Sequence, residues 1–132
     1  MSDHVDVLRR AWAAYADRGI DGAADYYAAD ATSEDIPELP DGKSYVGPDG
    51  FRERYWNFVE TWGNFTVVPV EYIDAGDSEV VVVTAMTGNA PESGLPLDSP
   101  AVFVYEVRDD EIVRDRVFMS KAEALEAAGL EE

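Results

Sequence analysis

The side chains of this chain that could move a proton near neutral pH are its carboxylic acids. The sequence has no cysteine, and its single histidine is His4, close to the N-terminus, where chains are often poorly ordered. Without thiols, a thiolate nucleophile and the commonest structural zinc sites are excluded, and neither a His-based metal site nor a Ser-His-Asp triad is expected. Proton transfer would fall to aspartate or glutamate in apolar surroundings, and no metal or cofactor is predicted.

Asp115 lies in a segment that the sequence predicts to be a β-hairpin. Asp109-Asp110 separates two strand-like runs, and a two-residue turn there would place Val104 opposite Asp115. In that register one face carries Val102, Val104, Glu106, Val113, Asp115 and Val117, and the other carries Phe103, Tyr105, Val107, Ile112, Arg114 and Arg116.

An aspartate among valines would be partly buried, and it would then be neutral or paired with a cation. Two alternatives stay open for Asp115: an ion pair with a nearby arginine, or an exposed charge on an edge strand. A slip of one residue in the hairpin would exchange the two faces and expose Asp115.

Two helices are predicted before the first strand. The first runs from about residue 4 to residue 17 and ends at Gly19, with a buried stripe formed by Val5, Leu8, Trp12 and Tyr15. A short second helix, capped by Asp21, is expected to extend through Tyr26 and Tyr27.

The rest of the chain predicts one more long helix and then a run of strands. An extended stretch is expected at 31–36, and a third helix begins at Pro48 and ends at Gly63. Strands are predicted at 65–74, 79–87, 101–108 and 112–119, followed by a closing helix at 121–128. This order predicts a single α+β domain over residues 1–132.

Aromatic side chains recur at helical spacing in the predicted helices. The candidate walls of a ligand pocket are Trp12, Tyr15, Tyr27, Tyr55, Phe58, Trp62 and Met86. Residues in such a stripe commonly form plain core. Tyrosine and tryptophan, however, carry a polar group that needs a partner when it is buried. The large number of such residues predicted to pack against a short sheet favours a cavity for a flat, apolar molecule.

The charge of the chain restricts its partners. It has 28 acidic and 10 basic residues among 132, a net charge of −18, whereas nucleic acids and anionic membrane surfaces are bound through lysine and arginine. The N-terminus has no apolar signal core, and no run of residues approaches the length of a membrane span. We therefore expect a cytoplasmic protein that binds neither nucleic acid nor membranes.

Residues 26–55, YYAADATSEDIPELPDGKSYVGPDGFRERY, resemble the nuclear transport factor 2-like superfamily, in particular its SnoaL-like and ketosteroid isomerase branches. In these families a strand of the pattern ADDAT-x-ED leads through a loop to a helix of the pattern G-x-x-x-I/F-R-x-x-Y/F. The final segment, EIVRDRVFMSKAEALEAAGL, is similar to the end of SnoaL-like proteins. The resemblance implies a conical fold, in which three N-terminal helices pack on a curved, mostly antiparallel sheet around a pocket, with a short C-terminal helix.

The resemblance also implies roles for single residues. Asp35 matches the catalytic base of the isomerase branch; the alternative is an aspartate that caps the following loop. Asp115 matches the acid/base aspartate on the last strand of the cyclase branch, and a comparison without gaps puts Val102 and Asp115 on the pocket side, so Val102 and Val104 join the pocket walls. Ala11 and Val102 occupy the positions of the isomerases' oxyanion donors. Neither side chain can donate a hydrogen bond, so steroid isomerisation of that kind is not expected.

Two functions are consistent with these features. The first is cofactor-free acid/base catalysis (isomerisation, cyclisation or hydration) on a hydrophobic substrate, with Asp35 and Asp115 as proton carriers. The second is a non-catalytic module that binds a small hydrophobic molecule or serves as a dimeric accessory domain. An Asp115 that faces an enclosed cavity without an arginine partner favours catalysis, and a salt bridge favours binding. A homodimer is predicted through the outer sheet face, formed by Phe103, Tyr105, Arg114 and Arg116. Glu71 or Glu79 from neighbouring strands, or a second subunit, would provide the ion-pair partners of these arginines.

Overall fold

The computed structural model describes residues 3–34, 44–62, 65–76, 78–89 and 96–130. In chain order its elements are α1 (Asp3–Arg18), α2 (Ile20–Ala24), β1 (Tyr27–Glu34), β2 (Ser44–Val46), α3 (Gly47–Trp62), β3 (Phe65–Asp74), β4 (Glu79–Asn89), β5 (Pro96–Arg108), β6 (Glu111–Phe118) and α4 (Lys121–Ala127). The strands form one sheet in the order β2-β1-β6-β5-β4-β3. Strands β1 and β6 are parallel, and the other neighbours are antiparallel. The predicted α+β architecture is confirmed.

Helix α1 follows the predicted apolar periodicity. Val7, Leu8 and Ala11 are buried in the core, because residues at this spacing share one face of a helix. The helix ends before Gly19, whose φ of +75° is a conformation that glycine adopts without steric cost. None of the described helices is long and apolar enough to cross a membrane.

Helix α2 is shorter than predicted. It ends at Ala24, because Tyr27 already pairs with Ile112 as the first residue of β1. Asp21 does not cap the helix. Its carboxylate instead accepts a hydrogen bond of 2.8 Å from Nε of Arg52, which ties α2 to α3.

The first residue of helix α3, Gly47, lies close to the backbone of β1. Gly47 has a φ of +76°, and a Cβ at this position would lie 2.9 Å from the carbonyl oxygen of Ala29. A larger residue would clash there, so Gly47 brings the start of α3 onto β1. From this start the helix turns Phe51, Tyr55 and Phe58 towards the sheet.

The β5–β6 hairpin has the predicted turn and an additional bulge. Asp109 and Asp110 both have positive φ, +53° and +63°, as in the two-residue turns that match the twist of paired strands. Further along β6, Val113 has no partner on β5. One extra residue in one strand shifts the pairing of all that follow.

The bulge at Val113 reverses the predicted assignment of the β5 side chains to the sheet faces. Asp115 lies opposite Tyr105, and the predicted pairing of Asp115 with Val104 is wrong. Phe103 and Tyr105 face the helices and not the outer surface. The outer face instead has a second core, formed by Val81, Val102, Val104, Phe118, Ala124, Leu125 and Ala128.

The outer face also carries ion pairs. Arg116 Nη2 lies 3.2 Å from a carboxylate oxygen of Glu79, one of the two partners that the sequence predicts. Arg114 makes two contacts to Glu34, of 2.6 and 3.1 Å. The arginines of β6 are therefore paired within the chain.

Candidate ligand-binding site

A cavity of about 160 Å³ lies between the three N-terminal helices and the inner face of the sheet. The helices contribute to its walls chiefly Trp12, Tyr15, Phe51, Arg54, Tyr55 and Phe58. The strands contribute chiefly Tyr27, Met86, Ala101, Phe103, Tyr105 and Ile112. An apolar cavity of about 150 Å³ in another protein binds benzene, so this volume suits one aromatic ring with a short substituent.

Most of the predicted wall residues line this cavity: Trp12, Tyr15, Tyr27, Tyr55, Phe58 and Met86. Val102 and Val104 do not, and the expectation that they face the pocket is wrong, because the bulge at Val113 places them on the outer face. Asp35 lies outside the described residues, as does the side chain of Trp62.

Two tyrosine hydroxyls meet at the helical side of the cavity. The hydroxyl oxygens of Tyr15 on α1 and Tyr55 on α3 are 3.2 Å apart. Burial, together with the hydrogen bond to Tyr55, raises the pKa of Tyr15. The ring of Trp12 meets that of Tyr15 edge to face, with 5.7 Å between the centroids. These contacts fix the polar ends of otherwise apolar walls.

Asp115 is fully buried behind the wall of the cavity. Its Oδ2 accepts a hydrogen bond from the Tyr27 hydroxyl and one of 3.2 Å from the Ser33 hydroxyl. Its Oδ1 accepts a hydrogen bond from Nη1 of Arg54, with which it forms an ion pair. Tyr27 and Arg54 line the cavity, whereas Asp115 does not. The carboxylate is therefore separated from the cavity by two of its own hydrogen-bond donors.

The buried pair fixes the charge states of the groups around it. Burial by itself lowers the pKa of Arg54, but the charge of Asp115, its hydrogen bond to Arg54 and the nearby Tyr27 and Tyr105 together more than offset this effect, and the pKa is raised overall. Burial raises the pKa of Tyr27 and Tyr105, and the charge of Asp115 raises both further. At neutral pH the arginine is a cation and both tyrosines are neutral.

Phe51 holds two of these donors in place. The ring of Tyr27 stacks on that of Phe51 with 4.0 Å between the centroids and 19° between the planes. The guanidinium carbon of Arg54 lies 5.7 Å from the centroid of the same ring, within the range of a cation–π contact. The donors to Asp115 are thus oriented by packing as well as by hydrogen bonds.

Arg54 is a polar residue of the cavity that the sequence reasoning missed. The signal was present, because Phe51, Arg54 and Phe58 lie at spacings of three and four residues on one face of α3. An arginine on such an apolar face needs a buried anion. Asp115, predicted to need a cation if it is buried, is that anion.

The described residues of the site provide hydrogen-bond donors and apolar surface, and they form no metal-binding cluster. Within the ranges that the structure describes, no three His, Cys, Asp or Glu side chains lie close enough together to hold a metal ion. The polar groups that the described lining residues bring to the cavity are one guanidinium, the indole N–H of Trp12 and several tyrosine hydroxyls. This arrangement can enclose an apolar molecule and donate hydrogen bonds to it.

A family model for the SnoaL-like domain matches residues 8–115. No curated protein gives a significant match. An NTF2-like protein of unknown function from Burkholderia pseudomallei K96243 superposes with a TM-score of 0.75 at 18% identity, covering 96% of this chain and 97% of that one.

Two further solved structures were determined with bound small molecules. A protein with a ketosteroid isomerase-like fold from Catenulispora acidiphila DSM 44928, in complex with trimethylamine, has a TM-score of 0.70 at 21% identity, covering 94% of this chain and 92% of that one. A Mycobacterium tuberculosis protein in complex with estradiol-17beta-hemisuccinate has a TM-score of 0.70 at 17% identity, covering 92% and 96%. At these identities the similarity shows the fold.

Proposed function

This chain belongs to the SnoaL-like domain family, and we propose that it binds a small, flat, apolar molecule in the cavity between its helices and its sheet. The observation that carries the proposal is the cavity itself, of about 160 Å³ and lined by aromatic rings. Apolar pockets with a few fixed polar groups are typical of small-molecule sites. Small molecules bound to proteins of the same fold support the proposal by analogy.

The environment of Asp115 favours binding over catalysis. Its carboxylate forms a salt bridge with Arg54 and accepts further hydrogen bonds from Tyr27 and Ser33. A general base must reach the proton that it removes, directly or through one water molecule. Asp115 has no direct access to the cavity, so its present contacts support a role in holding the site together.

The test is to fill the cavity with a side chain. Ala101 lines the cavity, and Ala101→Leu places additional carbon atoms inside it. The control is Ala85→Leu on the neighbouring strand, where the side chain is exposed. We expect toluene, titrated by NMR, to bind wild type and Ala85→Leu alike and to bind Ala101→Leu at least about tenfold more weakly, since the added atoms occupy its volume. Equal binding by both variants, or none by wild type, contradicts the proposal.

Acid/base catalysis is the second candidate. It is favoured by one contact, the hydrogen bond from the Tyr27 hydroxyl to Asp115, because Tyr27 lines the cavity and could relay a proton. Asp35 would be the other proton carrier, as the sequence resemblance implies. Once a substrate has been found by screening, turnover by Asp35→Asn and Asp115→Asn decides the matter. Unchanged turnover in both variants would remove this mechanism.

A homodimer through the outer sheet face remains part of the proposal. Val68 is 47% and Val70 61% exposed, and Val68 lies on the outer face because its neighbour Val67 lines the cavity. A net charge of −18 per chain opposes association, and salt screens that repulsion. Light scattering is therefore expected to show a dimer that becomes more stable as the salt concentration rises and is lost in Val68→Glu. A monomer at all salt concentrations would refute it.

A further inference from the structure

The wall of the cavity combines many apolar groups with a single charged one. Among the described residues that line the cavity, Arg54 alone carries a charge. Its side chain is 11% exposed, and Nη1 is the atom that contacts Oδ1 of Asp115. A guanidinium has five N–H groups in a fixed plane. Arg54 can therefore hold Asp115 on one side and donate a hydrogen bond to a guest on the other.

The charge of Arg54 is already balanced. Asp115 is fully buried next to it, so the pair contributes no net charge to the cavity. A second carboxylate, brought in by a ligand, would be a buried anion without a counter-ion of its own, which is unfavourable. The net charge of −18 adds a long-range repulsion of anions. A cationic ligand is also unfavourable, because its charge would lie beside the positive charge of the Arg54 guanidinium.

From this balance we infer that the ligand is a neutral, flat compound with one hydrogen-bond-accepting oxygen, such as an aryl ketone, and that Arg54 donates to that oxygen. The inference deepens the proposed binding function and rests on it. Asp115 then acts as a positioning residue, because it fixes the Arg54 guanidinium and neutralises it. A site that contains an arginine would thus select against carboxylates.

The cavity also limits the size of the compound. A volume of about 160 Å³ is close to that of cavities that hold a single benzene ring. The aromatic walls, with Tyr15 and Tyr55 on one side and Phe103 on the other, favour a planar shape. The part of the compound that the cavity holds is therefore one ring with a short carbonyl substituent.

Three probes of nearly equal shape test the inference. Acetophenone has the acceptor oxygen, α-methylstyrene replaces that oxygen by a CH2 group, and benzoate replaces the ketone by a carboxylate. Their dissociation constants are measured by NMR titration against wild type. We expect benzoate to bind at least about tenfold more weakly than acetophenone, because its charge finds no counter-ion. Benzoate binding as tightly as acetophenone, or more tightly, would overturn the inference.

The variant that tests the role of Arg54 removes both charges together. Arg54→Met combined with Asp115→Asn avoids leaving one buried charge unpaired. We expect the preference for acetophenone over α-methylstyrene to fall about tenfold or more, the usual effect of losing a hydrogen bond to a charged donor. The matched control is Arg52→Met, two residues away on α3, whose guanidinium pairs with Asp21 and Asp49 at the surface. This control should keep the wild-type preference.

A second measurement does not depend on the stability of any variant. The carbonyl stretching frequency of acetophenone bound to wild type, measured by infrared difference spectroscopy, reports directly on hydrogen bonding to its oxygen. We expect a frequency below that in an alkane solvent. A bound frequency equal to the alkane value overturns the role of Arg54 while leaving apolar binding intact. Failure of both acetophenone and α-methylstyrene to bind overturns the proposed function as well.

Discussion

Removing the carboxylate of Asp115 is expected to destabilise the fold far more than removing the whole ion pair. Asp115→Asn leaves the guanidinium of Arg54 buried without its anion. The side chain of Asp115 is 0% exposed and that of Arg54 11% exposed, so solvent cannot replace the lost partner. Breaking one side of a buried pair costs about 3–5 kcal/mol.

The size of this effect can be compared with the stability of a domain. Unfolding free energies are typically about 5–15 kcal/mol, so the loss is a large fraction of the total. With a urea m-value of about 2 kcal/mol/M, a loss of about 3 kcal/mol lowers the unfolding midpoint by roughly 1.5 M. Arg54→Met combined with Asp115→Asn removes both charges and keeps an amide oxygen for Tyr27 and Ser33. We expect the double variant to be more stable than Asp115→Asn alone.

The assay is urea unfolding of wild type, both single variants and the double variant, analysed as a double-mutant cycle. Arg52→Met is the control, since its ion pairs lie at the surface and contribute little. A coupling energy of at least about 2 kcal/mol is expected for residues that share a buried charge pair. If the two single losses simply add to give that of the double variant, Asp115 does not act through Arg54 and the reasoning is refuted.

Two further properties can be predicted. Replacing Asp109-Asp110 by Asn-Gly should stabilise the fold by about 1 kcal/mol, because both positions have positive φ and Asn-Gly suits such turns; an unchanged or lower urea midpoint would contradict this. At alkaline pH stability should fall, because burial and Asp115 raise the pKa of Tyr27 and Tyr105 in the folded chain. The two neutral tyrosines make their full contribution to the free energy of unfolding below the pKa of tyrosine in the unfolded chain, about 10. Above this pH the contribution is lost, by up to about 1.4 kcal/mol per pH unit for each tyrosine. Urea midpoints measured across this range should fall less steeply in Tyr105→Phe, and an equal slope would count against the assignment.

Local sequence signals account for most of the fold. The periodicity of α1, the glycines that end or begin helices, and the Asp109-Asp110 turn are properties of a few neighbouring residues. Such signals can be recognised without any knowledge of the rest of the chain. The end of α2 could not be recognised in this way. It depends on Tyr27 pairing with Ile112, a contact between residues far apart in the sequence.

Which residues form the site depends on long-range strand pairing more strongly than the fold does. The aromatic walls from α1 and α3 were predictable, because helical spacing alone assigns Trp12 and Tyr55 to inner faces. The walls from β5, namely Ala101, Phe103 and Tyr105, were not, because the unpaired Val113 decides which β5 residues face inwards. A bulge has no reliable local signal when the extra residue is an ordinary valine. Arg54 was missed for a simpler reason: it was not considered together with a buried Asp115.

The bulge at Val113 also bears on how the chain selects one hairpin among its alternatives during folding. A regular ladder from the same turn would pair one residue more, but it would place Arg114 at the inner position that Asp115 now holds. Two guanidiniums would then meet in the core. The buried ion pair thus disfavours the alternative register of the hairpin, as single buried polar groups do in coiled coils. The double variant at Arg54 and Asp115 still carries Arg114, whose guanidinium the regular ladder would bury without an anion, so we expect this variant to keep the bulge. Replacing Arg114 by leucine as well should let the bulge-free register form, visible as NMR contacts between Val104 and position 115, and their absence would show that other contacts set the register.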